Sequence, residues 1–257
     1  MYRSLTCVLI AIGAQSALAD DGLLITAGLR LWSNAWTSWD VYPPLQTPLG
    51  SIPGAAENFT AGSRVTAIPT ISARFGDLLL SASQFSPTRY TFEGNAGAFT
   101  ARRDEADVLA GYYLLPTLAA TLGYKQVRQD FGANAKFRYS GPTLGAVASA
   151  PLTAGFTLYG SFGLGRMRTQ LPLRDAEGRS TFDANYLLGE LGLAYSLSPG
   201  KLWPQAKAVA LTAGYRSQVL STSGFRIALD TSNASASRGT KLRDTTEGLT
   251  LGLSLSF

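Results

Sequence analysis

Histidine is absent from this sequence of 257 residues, and cysteine occurs once, at Cys7. Without imidazole, the chain lacks the side chain that most often acts as a general base near neutral pH. Zinc sites of the usual His and Cys type need several such ligands, which this chain does not have. The sequence therefore predicts no metal site, no cofactor and no enzyme of the histidine-dependent kind.

Charged residues are also scarce, at 15% of the chain, whereas glycine occurs 27 times and aromatic residues make up 11%. The net charge is +5 and the pI is about 9.4, which would suit nucleic acid. However, no run of basic residues is longer than Arg102-Arg103, so the sequence predicts no nucleic-acid binding. Low charge with many glycines and aromatics is typical of an all-β chain with tight bends.

The first residues have the composition of a secretory signal peptide. Arg3 gives a positive start, residues 5–14 are apolar, and Ala17-Leu18-Ala19 is a small-x-small cleavage site. We therefore predict a cleaved segment, residues 1–19, and one mature domain, residues 20–257. Because Cys7 lies in the cleaved segment, the mature domain is expected to contain no disulfide.

Hydrophobic residues alternate with small or polar ones along most of the mature chain. The clearest case is the last segment, in which Leu249, Leu251, Leu253, Leu255 and Phe257 alternate with Thr, Gly and Ser. Residues two apart share one face of a strand but point to nearly opposite sides of a helix, so this pattern predicts a strand. The other matches are 25–32, 65–75, 105–114, 118–125, 156–164, 185–197 and 209–215, with weaker ones at 78–86 and 136–150.

Ten strands result, although eight or twelve remain compatible with the pattern. In the 136–150 segment the apolar residues change face, and we place a β-bulge at Gly141-Pro142 to account for it. Short connections at 76–77, 116–117, 151–154 and 198–204 alternate with long ones near 34–63, 87–101, 129–135, 166–181 and 217–245. Short turns on one side and long loops on the other are typical of transmembrane barrels.

A membrane-spanning helix is the main alternative, because residues 139–165 carry no charge. This segment nevertheless contains Pro142, Pro151 and six glycines. Two alternating runs flank Pro151, which favours two strands and a turn. The fold predicted is a transmembrane antiparallel up-and-down β-barrel.

The cleavable signal, the repeated two-sided strands and the final strand ending in Phe257 resemble Gram-negative outer-membrane β-barrel proteins in general. This resemblance implies insertion into the outer membrane, with contacts to outer-membrane lipids and lipopolysaccharide. It also implies that the β-barrel assembly machinery reads Leu249, Leu251, Leu253, Leu255 and Phe257 as an assembly signal. Two interfacial aromatic girdles are expected in such a barrel, and the candidates are Trp32, Trp36, Trp39, Phe75, Tyr195 and Trp203. Neither the resemblance nor the residues indicate an oligomeric state.

Seven charged residues are predicted to face the lumen: Arg30, Arg64, Arg74, Glu105, Asp107, Lys125 and Glu190. They would either pair and fill a narrow lumen, or bind and pass a small anion. The sequence favours a non-enzymatic structural or surface-interaction barrel with a plugged lumen. A narrow porin-like channel for small solutes, including small anions, is the alternative. A carboxylate enzyme using Glu105 and Asp107 is the least favoured, since the known enzymes with small outer-membrane barrels use histidine.

Overall fold

The computed structural model describes residues 22–42, 45–47, 50–52, 55–94, 97–132, 136–170, 178–197, 205–228 and 237–257. Every element in this part of the chain is a β-strand. No helix in it is long and apolar enough to span a membrane. The predicted signal peptide, residues 1–19, and the girdle candidate Trp203 lie outside the described residues.

Thirteen strands follow one another along the described chain, and all pairings between them are antiparallel. They are β1 (Leu23–Tyr42), β2 (Leu45–Thr47), β3 (Gly50–Ile52), β4 (Ala55–Ala61), β5 (Arg64–Phe75), β6 (Leu78–Gly94), β7 (Gly97–Leu115), β8 (Leu118–Asp130), β9 (Lys136–Pro151), β10 (Phe156–Gln170), β11 (Thr181–Leu197), β12 (Ala208–Ala228) and β13 (Ser237–Ser256).

The strands close into a ring because β13 pairs with β1 over sixteen residue pairs, from Thr26↔Ser256 to Val41↔Lys241. Consecutive strands from β5 to β13 pair with one another, while β2 and β3 form a separate small hairpin. β4 and β5 share one place in the ring, since both pair with β1 and with β6. The ring therefore has ten places, which confirms the predicted up-and-down barrel.

The register of the ring sets the tilt of its strands. Following paired residues around the ring from Thr26 leads through Ser72, Ser81, Leu109, Gly123, Thr143, Gly165, Tyr186, Leu220 and Asp244 to Ser38. One circuit thus displaces the chain by twelve residues along β1. For ten places this displacement corresponds to a strand tilt of about 40°, within the usual range for barrels.

The two faces of the barrel wall differ in polarity as the period-2 pattern predicts. On β13, Leu249 and Leu251 are 65% and 62% exposed, whereas Thr250 is 1% exposed and Ser254 is also buried. Exposed apolar side chains recur on the outer face of the other long strands. An outward apolar band with a polar interior is what a barrel needs in a hydrocarbon layer about 25 Å thick.

Two details of the predicted chain path are wrong. The long connections predicted near 34–63, 87–101 and 217–245 are shorter than expected, because the strands continue past the apolar band; β6 and β7, for example, pair as far as Gly94↔Gly97. The connection predicted near 129–135 lies between β8 and β9 almost as expected. There is also no bulge at Gly141-Pro142, since β8 pairs with β9 in one continuous register. Phe137 and Tyr139 do not face lipid but point into the lumen, where they pack among other buried side chains.

Candidate functional site in the barrel interior

The lumen contains a cluster of charges centred on Glu190, in the middle of β11. Arg30 of β1 donates from Nη1 to both carboxylate oxygens at 2.6 Å, and Arg216 of β12 donates to Oε2 at 3.1 Å. The hydroxyl of Tyr159, on β10, donates to Oε1 at 3.3 Å. Four strands therefore supply one carboxylate and its donors. We call these four residues the Glu190 cluster.

Two glycines make room for Tyr159 in this cluster. Gly192 of β11 and Gly214 of β12 are paired across the ladder, and the ring of Tyr159 lies over them. A Cβ atom at Gly192 would lie 2.6 Å from the Tyr159 hydroxyl, and one at Gly214 would lie 2.7 Å from it. Because neither glycine has a side chain, the tyrosine can lie against the inner face of the wall and reach Glu190.

A second cluster surrounds Glu105 of β7, and its members are Arg103, Glu105, Asp107, Lys125 and Gln218. The guanidinium of Arg103 lies 2.8 Å from Glu105 Oε1, and the ammonium of Lys125 lies 2.8 Å from Oε2. Lys125 also reaches Asp107 at 3.3 Å, and Gln218 donates to Glu105 from the other side of the lumen. Arg103, Glu105 and Lys125 are 3% exposed or less, so the charges are compensated inside the protein rather than by solvent. We call this group the Glu105 cluster.

Aromatic side chains fill the lumen next to the Glu105 cluster, towards the long-connection end. Trp36 packs against Tyr90, Phe92 and Phe131, with ring centroids 5.0–5.5 Å apart. Its indole N–H donates to Asp244 at 3.2 Å. The guanidinium of Arg103 lies 5.3 Å from the Trp36 ring, within cation–π range, which joins the aromatic layer to the charged one.

Among the described residues, the buried charges of the two clusters balance. The two clusters and Asp244 together hold four cations, Arg30, Arg103, Lys125 and Arg216, and four carboxylates, Glu105, Asp107, Glu190 and Asp244. An interior cavity of about 100 Å³ lies among Arg30, Asp107, Glu190 and Arg216. In the described part of the chain, no three His, Cys, Asp or Glu side chains come together in a way that could hold a metal ion.

Five of the seven sequence-predicted lumen charges lie in these clusters: Arg30, Glu105, Asp107, Lys125 and Glu190. Arg64 does not, because β5 begins at this residue and its side chain is exposed at the rim. Arg74 lies at the opposite end of the same strand, where its Nε donates to the Gly76 carbonyl at 2.9 Å. Its guanidinium covers the ring of Tyr113 at 4.0 Å, so it takes no part in either cluster.

Trp32 and Trp36 are not girdle residues, because both are completely buried in the lumen. The alternation that places Thr26 and Arg30 inside continues without interruption to these two tryptophans. Trp39 and Phe75 are exposed on the outer face, and Tyr195 is half-buried against Phe156. A girdle role for these three residues stays a prediction.

Sequence reasoning missed several members of the interior. Arg103 is two residues from Glu105, and Arg216 is two residues from Gly214, so each shares the lumen face with its neighbour. Extending the alternation by one step would have found both. Gln218 and Asp244 carried no such signal, because their importance depends on residues of opposite strands.

A closed antiparallel ring with an apolar outer wall and a charged, buried interior defines an outer-membrane β-barrel protein, located in the bacterial outer membrane. The model of the OmpA-like transmembrane domain matches residues 80–215, just over half of the sequence. The chain therefore belongs to the OmpA-like transmembrane domain family.

Solved structures with similar folds are outer-membrane barrels. The outer membrane protease OmpT from Escherichia coli has 14% sequence identity and a TM-score of 0.51, with 91% of this chain and 97% of that one covered. AlkL, at 15% identity and a TM-score of 0.41, is covered over 94% of its chain and 100% of this one. Neisserial surface protein A, at 14% identity and 0.36, is covered over 97% of its chain and 91% of this one. No curated protein matches the sequence.

Proposed function

We propose that this protein is a non-enzymatic outer-membrane barrel of structural or surface-interaction type, whose lumen is plugged by its own side chains. The observation that carries the proposal is a pair of hydrogen bonds across the lumen. Gln218 of β12 donates to Glu105 of β7, and Gln129 of β8 donates to Asp244 of β13 at 2.9 Å. In each pair the two strands are five places apart in a ring of ten, so they lie on opposite walls.

These two hydrogen bonds across the lumen, which we call the crossings, leave little of the barrel's cross-section open. The space around them holds Trp36, Tyr90, Arg103 and Met167, each no more than 1% exposed. Barrels of about eight strands are filled by their side chains, whereas wide aqueous channels need sixteen or more. A ring of ten places with these large residues inside is close to the filled limit.

The charge balance supports the same proposal. A conducting anion path would expose uncompensated cations to the solute, but each buried cation of the two clusters contacts a carboxylate. The carboxylate pair Glu105 and Asp107 is likewise engaged, since both residues bind Lys125. We therefore assign these two residues to the plug and propose no catalytic role for them.

A narrow channel is the competing function, and the cavity beside Arg30 and Asp107 is the observation that favours it. Planar-bilayer recordings of the purified barrel separate the two. We expect the native protein to insert without stepwise currents. A variant with Trp36→Ala, Glu105→Ala and Gln129→Ala should conduct in discrete steps, because it removes both crossings and the largest side chain between them.

The matched control is Arg166→Ala with Asp183→Ala, which removes an exposed ion pair from the outer wall and should stay silent. Stepwise currents in the native protein would overturn the plug and favour the channel. Equal currents in the lumen variant and the control would show that the crossings do not block the path.

A further inference from the structure

A row of arginines lies on the outer face of the barrel wall, beyond the apolar band. Its members, one on each of β6 to β10, are Arg89, Arg102, Arg128, Arg138 and Arg168, and all five are exposed. We call these residues the arginine row. We propose that the arginine row binds the phosphate groups of lipid A, the anionic glycolipid of the outer leaflet.

The ladder register keeps the row level. Arg89 pairs directly with Arg102, and Arg128 pairs directly with Arg138. From β7 to β8 the row moves two residues towards the membrane, because Arg102 pairs with Asp130 and the row continues at Arg128. From β9 to β10 it moves two more residues in the same direction, because Arg138 pairs with Gln170 and the row continues at Arg168.

These steps compensate for the tilt of the strands. Following paired residues from strand to strand raises the position by twelve residues in one circuit of ten places. A row at constant height above the membrane must therefore move about five residues towards the membrane over the four steps from β6 to β10. The arginine row moves four residues. The five guanidinium groups therefore stand at nearly one height above the membrane.

That height matches the head-group region of the outer leaflet. Below Arg128 on the outer face of β8 come Tyr124 and Leu122, which are 50% and 63% exposed. Arg128 is four residues beyond Tyr124, or about 10 Å along the membrane normal at this tilt. Because the polar layer begins where the apolar band ends, the arginine row lies beside lipid phosphates and sugars rather than acyl chains.

Electrostatics favour an anion at this surface. Arginines directly opposite one another on neighbouring strands repel, and the row contains two such pairs. Four outward carboxylates lie on this side: Asp104 faces Arg128 and Asp183 faces Arg168 across the ladder, Asp130 is 3.6 Å from Lys136, and Glu93 is exposed on β6 beyond Arg89. Asp183 is also 2.9 Å from Arg166. Counting Arg166 and Lys136, seven cations face these four carboxylates.

Arginine also suits the ligand. Its planar guanidinium can donate two parallel hydrogen bonds to a phosphate, and these are stronger than bonds between neutral groups. Arg89, Arg102, Arg138 and Arg168 are exposed and form no salt bridge within 4 Å of a carboxylate of the described residues, although Asp183 lies opposite Arg168 in the ladder and Asp104 lies two residues from Arg102. Lipid A carries two phosphates on a disaccharide, which lets one molecule contact adjacent arginines.

The proposal is tested with purified barrel and bisphosphorylated lipid A in detergent, by counting lipid adducts in native mass spectra. A row variant with Arg102→Gln, Arg128→Gln and Arg138→Gln should bind lipid A at least tenfold more weakly than the native protein. The control variant, with Arg64→Gln, Lys241→Gln and Arg243→Gln, loses the same charge at exposed cations outside the row and should retain native affinity. Heat-modifiable gel mobility establishes that both variants fold.

Two further ligands identify the chemistry. Lipid A from which both phosphates have been removed should bind no better to the native protein than to the row variant. Phosphatidylglycerol carries one phosphate and should bind equally weakly to all three proteins. Equal loss in the row and control variants, or native affinity for phosphatidylglycerol as high as for lipid A, would overturn the proposal.

Discussion

Gln129 and Asp244 lie on opposite walls of the barrel, five strands apart in either direction, and are joined by a hydrogen bond of 2.9 Å. The same carboxylate accepts from the indole of Trp36, at 3.2 Å. Such a contact braces the ring against deformation, because separating the walls would leave a buried carboxylate with one donor fewer. The interior is therefore part of what stabilises the wall.

Substituting Glu190 with glutamine should destabilise the barrel strongly. The change keeps the shape of the side chain but leaves Arg30 and Arg216 without their carboxylate, and breaking a buried pair in this way typically costs about 3 kcal/mol. Urea unfolding of the refolded protein, followed by tryptophan fluorescence, measures the loss. Asp183→Asn is the control, since its ion pair with Arg166 is exposed and its free energy of unfolding should hardly change. Equal effects of the two substitutions would contradict a structural role for the Glu190 cluster.

Substituting Gly192 with alanine should displace Tyr159. The added Cβ would lie 2.5 Å from the Ala213 carbonyl oxygen and 2.6 Å from the tyrosine hydroxyl, so both the ladder backbone and the ring must shift, and the hydrogen bond of Tyr159 to Glu190 is disturbed. Overpacking of this kind typically costs about 1–3 kcal/mol. Gly189→Ala, three residues away on the same strand, is the matched control, because no described atom lies within 4 Å of its added Cβ. The same unfolding midpoint for both variants would mean that Tyr159 adapts without cost.

Cysteine labelling tests the orientation of the last strand. Leu251→Cys should react with a lipid-soluble maleimide but be protected from a water-soluble one in proteoliposomes, because residue 251 faces the apolar band. Arg128→Cys, in the arginine row, should react with the water-soluble reagent. Rapid labelling of residue 251 by that reagent would contradict the assigned outer face.

Replacing Phe257 with alanine tests the predicted assembly signal. The backbone of Phe257 continues the ladder, since its N–H donates to the Ile25 carbonyl at 2.8 Å, and alanine retains this bond. We expect several-fold less folded barrel in the outer membrane, with unchanged urea stability of the refolded protein. Phe257→Tyr keeps an aromatic ring and should assemble normally. If the alanine variant assembles as well as the tyrosine variant, the ring is not the signal.

The strands of the membrane zone were predictable because one physical constraint acts on each residue there. An outward side chain must be apolar and an inward one small, polar or paired, so the pattern of Leu249 to Phe257 leaves little choice. Beyond the apolar band the outer face of the wall meets water, so an outward side chain there need not be apolar. The pairing of Gly94 with Gly97 therefore leaves no hydrophobic signature in the sequence, which predicts a loop there.

The interior was predictable face by face but not partner by partner. Alternation alone places Arg30 and Glu190 on the inside. It does not bring them together, because that contact depends on the twelve-residue displacement of the ring, which no single strand encodes. The girdle prediction for Trp32 and Trp36 is wrong because the alternation of β1, which turns both side chains inward, outweighs the preference of tryptophan for membrane interfaces.

The reach of Arg30 across the closing strand has a consequence for the order of biogenesis. Arg30 pairs in the ladder with Gly252 of β13, and a Cβ on that glycine would lie 3.5 Å from the arginine Cγ. The side chain passes over this bare position to meet Glu190, two strands further on. A chain whose first and last strands have not yet met would hold a cation on β1 and a carboxylate on β11 without each other. Completion of the cylinder thus also completes the Glu190 cluster: in a half-closed intermediate this carboxylate keeps Arg216 but gains Arg30 only when the seam is joined.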